Sequence, residues 1–442
     1  MISGQKSKQS KPKKPGARSG KSSEESRDKT AAPLRPLERL LFEAAGEISG
    51  DRILFTSTAG AQAAAEVARL NPNSKVNCNY LDVFLAESAR ERWPELSNLA
   101  ITCLADLPVT AADCVALALP ARGENQLTRE LIQTARQRLE AGDVDGAGRL
   151  FVSTDDPKDS RIHEQLKEAF GKVTNRGAKD GRLYIGSKPK PLKKTREFET
   201  WFAFRDGERL FDVMTRPGVF SHRKLDLGAR ALIESLTVPD GPSAGEVVQD
   251  GFKVLDLGCG SGAVGFAASA RADSVEILAL DANARAVQCA RVGAEKNEIQ
   301  NYATQLECQG ECRGSGTFDL VLANPPYFSN ARVAEVFMKG AKRALKPGGR
   351  VHFVTKQPKW YVDEFAATFD DVSVREIRGY FVVKGTKTER SRKPVSQAYA
   401  QARKTKAAAQ AKSSAKNKPA RGDIPKGAIK NPKRARRPPK SK

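Results

Sequence analysis

Two kinds of apolar pattern alternate along the chain. Short unbroken apolar runs mark strands buried on both faces, and stretches with apolar residues every three or four positions mark helices packed on one side. In the second half the runs predict strands at Lys253 to Asp256, Val275 to Asp281, Phe318 to Ala323 and Arg350 to Thr355. The spaced stretches predict helices over 263–271, Ala284 to Asn297, Val333 to Leu345 and 361–368, with Pro347-Gly348-Gly349 as a stop signal and a closing hairpin from Val372 to Lys384. The first half repeats the order. Strands are predicted at Ile53 to Thr56, Lys75 to Leu81, Asp113 to Leu119 and Arg149 to Thr154. Helices are predicted at Ala59 to Leu70, Leu127 to Ala141 and 160–170, with a hairpin over 172–187. Strands alternating with helices predict an α/β fold: two tandem Rossmann-like units, each a mostly parallel sheet with a closing antiparallel hairpin. Two echoes support a duplication. Phe151-Val152-Ser153-Thr154 matches Phe353-Val354-Thr355 in position and character, and Asp113-Cys114-Val115-Ala116-Leu117 matches Asp319-Leu320-Val321-Leu322-Ala323.

Charge divides the 442 residues further. The formal net charge is +23, but residues 1–32 carry +6 and residues 384–442 carry +18, which leaves the middle at −1. The expected organisation is a disordered basic tail over 1–32, a first unit over 33–188, a second over 189–386 and a second disordered basic tail over 387–442. Any polyanion partner is expected at the tails, where counterion release gives sequence-independent attraction to RNA. No apolar run reaches the roughly 18 residues of a membrane span. The start of the chain has no apolar stretch of a secretory signal, and the seven cysteines lack paired spacing. The chain is therefore expected in the cytoplasm, as a monomer, with no membrane partner.

Chemistry concentrates in the second half. Val254-Leu255-Asp256-Leu257-Gly258-Cys259-Gly260-Ser261-Gly262 places an acid and three alternating glycines on a strand-to-helix turn. This differs from the dinucleotide fingerprint, which offers a helix N-terminus to a pyrophosphate. An acid at the head of the loop repels an anion and favours a cationic ligand, such as the amino group of S-adenosylmethionine. Asp281 ends the next strand, where an acid can accept both hydroxyls of a ribose. Asn324-Pro325-Pro326-Tyr327 follows the fourth strand and faces the same crevice. The Asn324 side-chain oxygen and the Pro325 carbonyl can each accept one N–H of a planar amine, drawing its delocalised lone pair out for methylation. Tyr327 offers a face for stacking a flipped base.

These motifs, together with Arg216-Pro217-Gly218-Val219-Phe220-Ser221 and Leu225-Asp226-Leu227-Gly228, resemble the bacterial ribosomal RNA guanine-N2 methyltransferases, the small-subunit methyltransferase C and large-subunit methyltransferase G group. The resemblance is strong over 216–386 and weaker over 33–215. It implies two tandem Rossmann-like methyltransferase domains, each with a mostly parallel seven-stranded sheet, and a class I S-adenosylmethionine-dependent enzyme acting on ribosomal RNA or a ribosomal subunit, with small-subunit RNA favoured over large. It implies that Asp256, Gly258, Gly260 and Gly262 line the methionine end of the cofactor, that Asp281 holds the ribose and that Ala282 lies beside the adenine. Asn324, Pro325 and Tyr327 would be catalytic, and Pro326 and Phe328 would touch the substrate. In the loop before the fourth strand, Glu311 would contact the adenine amine. The first unit reads Thr56-Ser57-Thr58-Ala59-Gly60 at the loop position; it lacks the acid and the glycine triplet and is expected not to bind cofactor, serving RNA docking or scaffolding instead.

Two other functions stay open. Tyr327-Phe328 stands where the family has Phe, and Tyr suits an adenine-N6 or protein glutamine-N5 acceptor. A catalytically inactive RNA-binding or ribosome-assembly protein using the tails is the reading from another class. No metal site is expected, because Cys308 and Cys312 lack a second pair at ligand spacing. Cys259 reads as a small packing residue, His352 as a structural residue, His222 as a residue near the proposed site, and Trp201, Phe202 and Phe204 as an apolar strand packed on the second unit.

Overall fold

The computed structural model describes residues 34–142, 148–191, 194–237, 247–326 and 331–388. The first basic tail, the second from residue 389 onward, Tyr327 and Phe328 lie outside the described residues.

The first unit contains α1 Pro36–Glu43, β1 Arg52–Thr56, α2 Gln62–Leu70, β2 Lys75–Tyr80, α3 Val83–Arg92, β3 Leu99–Cys103, β4 Cys114–Ala118, α4 Asn125–Gly142, β5 Arg149–Thr154, α5 Arg161–Ala169, β6 Phe170–Ala178 and β7 Gly181–Pro189. A hairpin of β8 Thr200–Asp206 and β9 Arg209–Thr215 follows. The second unit contains α6 Leu227–Glu234, β10 Lys253–Leu257, α7 Ala263–Ser269, β11 Glu276–Asp281, α8 Ala284–Lys296, β12 Tyr302–Leu306, β13 Phe318–Ala323, α9 Ala331–Ala344, β14 Leu345–Thr355, α10 Pro358–Thr368, β15 Asp370–Ile377 and β16 Tyr380–Thr386. The two seven-stranded sheets run β3-β2-β1-β4-β5-β7-β6 and β12-β11-β10-β13-β14-β16-β15. In each, only the last hairpin is antiparallel.

Burial on both faces explains the unbroken apolar runs. In the second sheet, Val254, Leu320, Leu322 and Val382 point into one cluster with Leu232 of α6 and Phe266 of α7. Their neighbours Leu255, Val321, Phe353 and Val383 point into another with Met338 of α9 and Phe365 of α10.

The structure adds elements that the apolar pattern misses. Strands β3 and β12 are outer strands with mostly half-buried residues, so neither shows an apolar run. Helix α3 buries only Val83, Ala86 and Ala89 and leaves Phe84 exposed, which blurs its periodicity. Helix α2 begins at Gln62 rather than Ala59, because Ala61 takes a left-handed conformation at the N-cap. The segment around Trp201 is one arm of the β8–β9 hairpin. Phe204 stacks on Phe211 in the core, while Trp201 is exposed.

The units meet at the C-terminal ends of β2 and β11. Asp82 and Asn283 form an antiparallel bridge. Val83 N donates to Ala282 O at 2.9 Å, and Ala284 N donates to Leu81 O at 2.8 Å. Beside this seam, buried Glu130 of α4 accepts from Arg216 Nη2 at 2.6 Å and from Arg285 Nη1 at 2.5 Å.

Candidate active site

Strand β10 is buried from Val254 onward and delivers its chain directly into the glycine loop. Gly258 and Cys259 both donate their N–H to Leu280 O, at 2.8 and 3.0 Å, which ties the loop to the end of β11. Gly258 has a φ of +74°, and a Cβ there would meet the Phe337 ring at 2.7 Å. Gly260 has a φ of +53°, and a Cβ there would meet no protein atom within 4 Å. Gly262 starts α7 with a φ of +87°.

The two acids brace this loop. Asp256 Oδ2 accepts from Gly265 N at 2.9 Å and so holds the first turn of α7. Asp281 Oδ2 accepts from Gly260 N and Oδ1 from Asn283 N, each at 2.9 Å. Burial pushes the Asp256 carboxyl up to about 7; the Gly265 N–H opposes the rise and the Asp281 charge adds to it. Burial also raises Asp281, with the Asn283 and Gly260 N–H groups opposing it and Asp82 adding to the rise. Two desolvated carboxylates that repel each other gain from a cation between or beside them.

A cavity of about 410 Å³ extends from this loop to Asn324, within the roughly 300–1,000 Å³ of small-molecule clefts. Of the residues expected from sequence, Asp256, Gly258, Gly260, Asp281, Ala282, Asn324 and Pro326 line it. Gly262 stands behind the wall as the α7 N-cap, and Pro325 is buried next to Asn324. The adenine-side expectation shifts in register. Glu307 and Cys308 line the cavity, whereas the Glu311 carboxylate is exposed and lies 4.0 Å from Arg343. Glu307 accepts from Gln309 N and Glu311 N and thereby shapes that loop.

Several lining residues are not among the expected site residues: Asp82 from the first unit, Phe202 from the hairpin, and Phe220 and Asp226 from the segment before α6. Asp226 is the N-cap of α6, and its side chain also accepts from Asn324 Nδ2 at 3.0 Å. His222 contacts Thr215 and Gln126, and buried His352 contacts Ser235. Cys259 is buried with Ala279 and Ala290. Among the described residues no three His, Cys, Asp or Glu side chains cluster as metal ligands, and no helix is long and apolar enough to cross a membrane.

The cavity fits S-adenosylmethionine by its donor set. Carboxylates suit the ammonium and the ribose hydroxyls, and the open side of Gly260 leaves room for a ligand against the backbone.

The model of the methyltransferase small domain matches residues 211–384. Bacillus subtilis protein YbxB, itself uncharacterized, is 30% identical over 203 residues, covering 45% of this chain and 96% of that protein. Ribosomal RNA large subunit methyltransferase G of Shewanella amazonensis is 26% identical over 318 residues, covering 68% of this chain and 79% of the relative. Small subunit methyltransferase C of Chromohalobacter salexigens is 34% identical over 181 residues, 38% of this chain and 50% of the relative. Among solved structures, the T. thermophilus 16S rRNA N2 methyltransferase RsmC in complex with AdoMet and guanosine matches with a TM-score of 0.65 at 21% identity, covering 80% of this chain and 92% of that one. The two sheets, the acid-headed glycine loop and the matched domain define an S-adenosylmethionine-dependent methyltransferase. Within that class, the chain belongs to the ribosomal RNA methyltransferase family that includes small-subunit methyltransferase C and large-subunit methyltransferase G.

Proposed function

We propose that this chain methylates the exocyclic N2 amine of a guanine in ribosomal RNA, with small-subunit RNA the favoured substrate and large-subunit RNA the alternative. The observation that carries the reading is the placement of Asn324 on the same cavity wall as the glycine loop and Asp281. When bound, S-adenosylmethionine supplies an electrophilic methyl group. The residues of this chain prepare the nucleophile. The lone pair of a guanine amine is spread into the ring, and two acceptors holding its N–H bonds pull that nitrogen toward a tetrahedral shape. The Asn324 Oδ1 and the Pro325 carbonyl serve as those acceptors, and the fixed φ of Pro325 and Pro326 sets the carbonyl direction. The names of the relatives support the RNA, and the T. thermophilus N2 methyltransferase shares the fold.

The first unit binds no cofactor in this reading and serves as a scaffold that docks RNA. The basic tails add electrostatic attraction. Deleting 387–442 is expected to flatten the salt dependence of RNA binding, measured by filter binding over a salt series; an unchanged slope would remove the tail from the RNA footprint.

The deciding experiment is transfer of labelled methyl groups to unmodified small and large ribosomal subunits and to their deproteinised RNAs, followed by digestion to nucleosides. Label in N2-methylguanosine is expected. Label in N6-methyladenosine, or in protein glutamine alone, would overturn the acceptor.

A further inference from the structure

We infer that Asp226 is a positioning residue for methyl transfer: its carboxylate sets the orientation of the Asn324 side-chain amide, so that the amide oxygen is the end turned toward the target amine. The inference rests on the role given to Asn324 above.

Asp226 is the N-cap of α6, and one of its oxygens serves two donors. Oδ2 accepts from Ala229 N at 3.0 Å and from Asn324 Nδ2 at 3.0 Å. An ionised carboxylate only accepts hydrogen bonds, so the end of the Asn324 amide beside it must be the NH2 group. The nitrogen and oxygen of an amide are alike in shape, and the partner decides which end points where. With Nδ2 held by Asp226, Oδ1 faces the other way. An inverted amide would present NH2 to the N–H bonds of the target amine, and two donors would oppose each other. The lone pair would then stay in the ring.

The frame around this pair is stiff. Asn324 directly follows β13, whose last residues are fully buried. Asp226 opens α6, which buries Ala231, Leu232 and Ile233 in the core. The chain leading to Asp226 is pinned at Gly218, whose N–H donates to Glu124 and whose carbonyl accepts from Asn283 Nδ2. Both partners line the cavity, so their contact lies at the reaction centre rather than behind it.

The competing account is a plain helix cap, and two variants of the full chain separate them. Asp226→Ser keeps an oxygen for Ala229 N but is too short to reach Asn324. Asp226→Asn keeps an oxygen that can serve both donors. With unmodified small subunits, Asp226→Ser is expected to lower kcat by about 10- to 100-fold, with the RNA KM, the S-adenosylmethionine Kd and the Tm unchanged. Asp226→Asn is expected to stay within about threefold of the parent. Full activity in Asp226→Ser would overturn the inference. So would equal loss in both variants, since the carboxylate charge would then act directly.

A second measurement needs no RNA substrate. In the parent protein labelled at asparagine, with its signal identified by its loss in Asn324→Ala, the Asn324 NH2 protons are expected to exchange slowly with water. They are expected to exchange fast in Asp226→Ser and slowly in Asp226→Asn. Fast exchange in the parent would overturn the inference. If no guanine is labelled by the parent enzyme, the acceptor reading fails alone, and this exchange still decides the role of Asp226.

Discussion

The two units share a strand order and differ at nearly every position that touches the cavity. Asp113 and Asp319 anchor the alignment: each accepts, at 2.8 Å, the N–H of the first residue of the neighbouring strand, Arg52 in one unit and Lys253 in the other. Counting along β1 and β10 from there sets Phe55 against Asp256, Ser57 against Gly258 and Ala59 against Gly260. The partner strands set Tyr80 against Asp281 and Ala118 against Asn324. Even the left-handed N-cap is kept, by Ala61 in one unit and Gly262 in the other. In the first unit the loop is locked by its own side chains. Tyr80 Oη donates to Ala59 O at 2.8 Å, Trp93 Nε1 donates to Gly60 O at 2.7 Å, and buried Glu38 accepts from Ser57 and from Ala63 N. The doubly wound scaffold is therefore indifferent to ligand. In the proposed reading, binding resides in a few residues at the strand ends, and at the matching places of the first unit the side chains pack and hydrogen-bond to the loop instead.

The comparison breaks most sharply at Asn324. Asn324→Ala installs the residue found at that place in the first unit and is expected to cost about 10³-fold in kcat, with S-adenosylmethionine affinity nearly intact by calorimetry. Equal loss of transfer and of affinity would remove Asn324 from the amine site. Next is Glu130, which ties the units together. Glu130→Ala leaves Arg216 and Arg285 facing each other beside the seam with Asp106 as their remaining acid. It is expected to lower stability by about 3–5 kcal/mol, read as a lower denaturation midpoint. An unchanged midpoint would mean that the seam does not depend on this charge. Third is Asp281. Asp281→Ala is expected to weaken S-adenosylmethionine binding by about 10- to 100-fold, the worth of a charge-assisted hydrogen bond or two. An unchanged Kd would take it out of the site.

The parts of this arrangement that were legible in sequence are those with a local signature. Strands such as β10 and β13, covered on both faces, write themselves as apolar runs, and the acid-headed glycine loop needs its residues in consecutive order. Strands β3 and β12 lie at the sheet edge, where half-buried positions erase the run. Asp82 reaches the cavity across a seam between residues about 200 apart in the chain, and no local pattern encodes that meeting. Glu130, Arg216 and Arg285 look like ordinary surface charges until the fold buries them against each other. The exchange of Glu311 for Glu307 on the cavity wall has the same origin: a loop's register depends on its internal hydrogen bonds, here those accepted by Glu307.

The mildest test concerns the acid that has no counterpart in the first unit. Phe55 cannot titrate, whereas Asp256 is held up to about 7 by burial. Its folded value is raised, so the charge is present above about pH 7 and lost as pH falls through it. A protonated Asp256 cannot attract the ammonium of S-adenosylmethionine, and binding must then expel a proton. The Kd is expected to rise by up to roughly tenfold per pH unit below about 7, measured by calorimetry in buffers of different ionisation heat. Cys259 and Tyr302, which lie beside Asp256, are pushed upward and stay protonated through this range. Asp281 is also raised, so its titration must be separated from that of Asp256. Asp256→Asn does so: it removes one acid and is expected to shallow the profile while Asp281 keeps the remainder. A profile already flat in the parent chain would place the cofactor's cation away from Asp256, leaving that residue as the brace of α7 through Gly265.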